Sequence, residues 1–105
     1  MKNLLNIPEK PDPTANHLVG KTLASDKITE ITAEAEKFRE TKLFNDKDND
    51  LMLVTRYCAK LLVYISLVEY HEEMLRGNPN LKGAEAILKK ARLFGDLFEN
   101  TMVGF

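Results

Sequence analysis

Three groups of residues in this chain are of types that bind metals or act as nucleophiles, and spacing decides what each is able to do. Asp46, Asp48 and Asp50 alternate as oxygen donors do at the start of a calcium-binding loop. Such a loop also needs glycine at its sixth position and a bidentate glutamate at its twelfth, where this chain has Leu51 and Tyr57. The run from Asn45 to Asp50 therefore reads as a polar connection ending in a helix cap. Glu69, His71, Glu72 and Glu73 suggest a di-iron bundle, whose Glu-x-x-His spacing sends both ligands from one helix face. Position 68 is valine and His17 is the other histidine, so these residues read as a polar helix end, solvated or paired with Arg76. Neither a metal nor a cofactor is expected.

Cys58 is the single cysteine, which excludes an internal disulfide. Between Tyr57 and Ala59 it reads as a core residue, with Arg56 and Lys60 projecting elsewhere around the helix, not as an activated thiolate. Gly20-Lys21-Thr22 matches the end of a phosphate loop, but the first glycine and the preceding strand are missing. Pro8-Glu9-Lys10-Pro11 fits a minimal Pro-x-x-Pro ligand, a match common by chance, and reads as a semi-rigid arm. No spacing assembles an acid and a base, so the chain is not expected to be an enzyme. What remains is a dispersed set of cations, Lys21, Arg56, Lys60, Lys89, Lys90 and Arg92, with Tyr57, Tyr64 and Tyr70 available for stacking. Basic groups beside aromatic rings suit a nucleotide or another anion held in a cleft between subunits, and these six are the candidate ligand-binding residues.

The elements that must position these groups are helical. Of 105 residues, 44% are hydrophobic and 30% charged, with five glycines and four prolines, too few turn formers for a β architecture. Fifteen basic and 16 acidic side chains give a net charge of −1, so no basic field attracts nucleic acid. The most apolar window, 51–68, is broken by Arg56 and Lys60, leaving Leu61 to Val68 uncharged, far short of the about 20 residues that span a bilayer. The first residues lack a signal peptide's apolar run, and a cytoplasmic protein is expected.

Pro8, Pro11, Pro13 and Gly20 make residues 1–24 an extended arm. Residues 25–105 form one helical domain, with helices expected at about 25–44, 51–76 and 81–103. Ser25 or Asp26, Asp50 and Asn80 are the expected caps. Ile28, Ile31, Ala35 and Phe38 give the first helix one narrow stripe. The second carries two: Val54, Tyr57, Leu61, Tyr64, Ile65, Val68 and Leu75 on one side, and Ala59, Val63, Leu67, Tyr70 and Met74 on the other. Short loops imply an all-α, three-helix up-down-up antiparallel bundle. Two apolar stripes on one helix exceed what two partners cover, so a larger, even-numbered homo-oligomer is expected. Its interface is placed on Ala59, Val63, Leu67, Tyr70 and Met74, with Gly95, where a glycine inside a helix marks either a close approach or a bend.

The segment Leu23-Ala24-Ser25-Asp26-Lys27-Ile28-Thr29-Glu30-Ile31, followed by a helix bearing Arg56, loosely resembles the helical-hairpin sponges with which phages sequester cyclic nucleotide immune signals. The resemblance spans residues 20–70. That family's stacking tyrosine falls on Lys21 or Thr22 and its lysine on Ala35, so no binding residue is carried over. The expected function is that of a non-enzymatic interaction protein, a small regulator or inhibitor of another protein. Sequestration of an anionic metabolite is the alternative.

Overall fold

A computed structural model describes residues 5–41 and 47–103, with side chains placed over 5–37 and 54–101. The described residues form three α-helices and no strand: α1 (His17–Thr41), α2 (Lys47–Met74) and α3 (Leu81–Val103). No helix among them is long and apolar enough to cross a membrane.

α1 begins eight residues before the expected Ser25 start, so Gly20 lies within the helix and the arm ends at Asn16. The start is fixed by Asn16, whose side-chain oxygen accepts the Val19 N–H at 3.1 Å while its carbonyl accepts the Gly20 N–H at 3.1 Å. That is a capping geometry, and asparagine is among the best residues for it. α2 likewise begins before its expected cap, so Asp50 lies inside the helix, as does Asp48. Asp46, Phe44 and Asn45 fall outside the described residues.

Past Met74 the chain turns through Gly77-Asn78-Pro79-Asn80. The Glu73 carboxylate accepts the Asn80 N–H at 3.0 Å on Oε2 and the Arg76 guanidinium at 3.1 Å on Oε1. Asn80 caps α3: its side-chain oxygen accepts the Gly83 N–H at 3.0 Å and its carbonyl the Ala84 N–H at 2.9 Å.

α2 is the centre of the bundle. Both α1 and α3 pack on it, and among the described residues α1 and α3 do not approach one another closely. The result is flattened, with Cα extents of 51 × 26 × 17 Å. The core is drawn from every element: Ile7 from the arm, Ala24 from α1, Val63, Leu67, Tyr70 and Met74 from α2, and Ala84, Leu88 and Ala91 from α3. Ala59 is buried as well. The stripe expected to meet another subunit is thus the interior face of the chain itself.

Gly95 is also occupied from within. A Cβ there would stand 2.8 Å from the Ile7 Cδ1, so the close neighbour of this glycine is the chain's own arm. Asn6, at φ 54°, adopts the left-handed conformation that asparagine tolerates, just before Ile7 enters the core. Arg92 fastens the same stretch, donating to the carbonyls of Pro8 and Glu9 at 2.9 Å each.

Candidate functional site

Where the arm, α1 and α2 meet, the structure brings together the only two histidines in the chain. Their Nδ1 atoms lie 2.9 Å apart and their ring centroids 5.1 Å apart. The His17 Nε2 is 2.6 Å from the Asp12 carbonyl oxygen, which can only accept, so Nε2 carries a proton. When His17 is neutral its Nδ1 is therefore a bare acceptor, and the His71 Nδ1–H must donate to it. Tyr70 packs edge-on to His17 at 5.4 Å, and its hydroxyl oxygen accepts the Asp12 N–H at 3.2 Å.

Asp12 is thereby held at both backbone groups. Its carboxylate accepts the Thr14 N–H at 2.9 Å and the Thr14 hydroxyl at 2.6 Å, contacts that lower its pKa, with His17 adding a smaller electrostatic pull. His17 is 4% exposed and Tyr70 1%. Burial, and then the neighbouring His17, push the His71 pKa below its ordinary value.

Gly20 makes this arrangement possible. A Cβ at position 20 would fall inside the His71 imidazole, so the ring sits where only glycine leaves room. Sequence reasoning set both histidines aside because they are 54 positions apart and neither completes a metal motif. The available signal was a glycine three residues after His17, tolerated inside a helix. Among the described residues no group of three or more His, Cys, Asp or Glu side chains is placed to hold a metal ion.

The six candidate cations do not converge on one site. Lys90 pairs with Glu69 at 3.2 Å, joining α3 to α2. Arg92 is spent on the arm carbonyls, beside a small cavity of about 100 Å³ lined by Ile7, Glu9, Gly95, Asp96 and Glu99, among others. Lys89 lines a shallow surface depression with Lys82 and Glu85, and Lys21 is half-buried on α1. Only Arg56 and Lys60 come together. The guanidinium carbon of Arg56 is 5.5 Å and the Lys60 ammonium 5.8 Å from the Phe98 ring centre, within cation–π range. With Glu34 and Tyr57 they line a groove of about 140 Å³.

The surface also differs from expectation on α2. Cys58 is exposed, not core. It belongs to a row, Val54, Cys58, Leu62 and Ile65, that repeats at four, four and three residues and so runs along one helix face. On α3, Leu93 and Leu97 are exposed in the same way. The large apolar members of both rows are between 39% and 69% exposed. The Glu69–Lys90 pair, which ties α2 to α3, follows Ile65 by four residues on the one helix and precedes Leu93 by three on the other.

No family model matches the sequence, and no curated protein or solved structure shows significant similarity to it.

Proposed function

We propose that this chain is a non-enzymatic interaction protein, an up-down-up helical bundle that pairs with a second copy of itself through the α2–α3 apolar face and in that form regulates or inhibits another protein. The observation that carries the reading is the set of large apolar side chains left in water on two helices, Val54, Leu62 and Ile65 on α2 and Leu93 and Leu97 on α3. Burying one such side chain fully is worth about 1.5–3 kcal/mol, which favours covering a contiguous set.

A face of two helices meeting its own copy about a two-fold axis is the simplest closed assembly, and it accounts for an even subunit number.

Native mass spectrometry and light scattering at micromolar concentration test this. The native chain should be dimeric or a multiple of two. The double variant Leu62→Glu, Ile65→Glu should be monomeric with unchanged helical content. A native chain that is monomeric and fully helical overturns the proposal.

A second reading, binding of a small anionic metabolite or nucleotide, is favoured by one observation: Arg56 and Lys60 converge over Phe98 at the groove with Glu34 and Tyr57. A thermal-stability screen of nucleotides and phosphorylated metabolites tests it. The reading predicts a shift that the Lys60→Ala variant loses, and it is abandoned if no compound shifts the native chain.

A further inference from the structure

We propose that His17 and His71 form a proton-sharing latch, which fastens the amino-terminal arm and the start of α1 to α2 and opens when both imidazoles carry charge. This goes beyond the assembly reading and does not depend on it.

The geometry supplies the logic. His17 has one ring nitrogen committed to the Asp12 carbonyl, leaving Nδ1 alone to face His71. A 2.9 Å gap between two nitrogens holds one hydrogen. In the neutral pair that hydrogen comes from His71. After one protonation the two rings still share a single hydrogen across the gap. A second proton places N–H against N–H and two positive charges side by side, at a position where His17 is almost fully buried. The rings then have to part.

The other titratable groups on the surrounding elements do not rescue the doubly charged pair. On the arm, the Asp12 carboxylate is exposed and already bound by Thr14. On α2, Tyr70 offers a ring edge to His17, and its hydroxyl accepts from Asp12. On α1, Lys21 lies one turn beyond His17 and adds positive charge. The lowered pKa of His71 agrees with this arrangement.

Because His17 also grips the Asp12 carbonyl, parting the rings loosens the arm as well. What the arm covers is apolar: Ile7 sits on Gly95 and in the core beside Ala91. The Arg92 contacts with Pro8 and Glu9 do not depend on the histidines, so the loosening is centred on Asp12 and the start of α1.

Histidine side-chain NMR and amide exchange on the native chain, compared at about pH 7.5 and about pH 5, test the latch. The His71 imidazole should titrate below its ordinary value. After correction for intrinsic rates, the Asp12 amide should exchange about tenfold faster at the lower pH, while the Ala84 amide at the start of α3 keeps its protection. His71→Gln should remove the pH response of the Asp12 amide; His17→Gln serves the same purpose if the first variant fails to fold. Titration of His71 at its ordinary value, with Asp12 equally protected throughout, overturns the proposal. So does zinc-dependent protection of the Asp12 amide at neutral pH, which would replace the shared proton with a metal.

Discussion

The ring of His71 on α2 occupies the space that a side chain on Gly20 of α1 would need. A glycine inside an α-helix costs about 1 kcal/mol relative to alanine, and here that cost is the condition for seating an imidazole against a neighbouring helix.

Alanine at position 20 should therefore destabilise the fold. Forcing extra atoms into a filled site costs about 1–3 kcal/mol, which exceeds the helix-propensity gain over most of that range. Gly77, with nothing within 4 Å of its missing Cβ, is the control, and Gly77→Ala should change stability by less than about 0.5 kcal/mol. Urea denaturation of the two variants separates these outcomes, and an unchanged or raised midpoint for Gly20→Ala would contradict the packing.

Leu88 and Leu93 lie on one helix with opposite fates, the first fully buried and the second 69% exposed. Leu88→Ala should cost about 2–5 kcal/mol, as large-to-small changes in cores do. Leu93→Ala should leave the stability of a dissociated chain within about 0.5 kcal/mol of native. Chemical denaturation at concentrations low enough to dissociate any assembly measures both.

The dependence of stability on pH should show two windows of different origin. His71 is held below its ordinary pKa of about 6.5 by burial and by His17, so the unfolded chain takes up that proton more readily. Its contribution is full above about pH 6.5 and is lost as pH falls through the folded value. Glu73 is held below the usual carboxylate value by the Asn80 N–H and by Arg76, against a smaller opposing effect of desolvation. Stability from that group is present above about pH 4.5 and is lost as pH falls through its folded value. Glu73→Gln should shrink only the lower window, to which Asp12 also contributes, and His71→Gln only the upper one.

Cys58 offers a reporter for the apolar face because its side chain is exposed in the row with Val54, Leu62 and Ile65. If that face is covered by a second copy, a maleimide should label Cys58 more slowly in the native chain than in Leu62→Glu, Ile65→Glu. Equal labelling rates would place any interface elsewhere.

The sequence made the helical class and the three elements legible, because their apolar spacing is local information. Asn80 is likewise a local cap, and the structure uses it as one. The start of α1 was misjudged because the nearby prolines and Gly20 speak for an irregular chain, while the reason for Gly20 lies 51 positions away in His71. α2 defeated face assignment for a different reason: it carries apolar residues on nearly every side, so periodicity does not distinguish the face with Val63, Leu67 and Tyr70 from the one with Leu62 and Ile65. The histidine pair was invisible for want of any local spacing at all. Of the candidate cations, Arg56 and Lys60 share a groove and lie one turn apart on one helix, whereas Lys89, Lys90 and Arg92, equally close in sequence, are drawn to different partners and surfaces of α3.

The arm has a consequence for how the chain reaches this shape. Among the described residues α1 and α3 pack on α2 and not closely on each other, and the short stretch from Ile7 to Asp12 bridges them, touching α3 through Arg92 and Gly95 and α1 through His17. The contact between Arg92 and Pro8 spans 84 positions, whereas Glu69 and Lys90 are 21 apart. Contacts that close long loops lose the most chain entropy and reward it last, so the α2–α3 hairpin should form early and the strap should close at the end. The amino terminus then behaves as a fastening applied to a finished scaffold, and cleavage just before His17 should open the ring of contacts while leaving three helices standing.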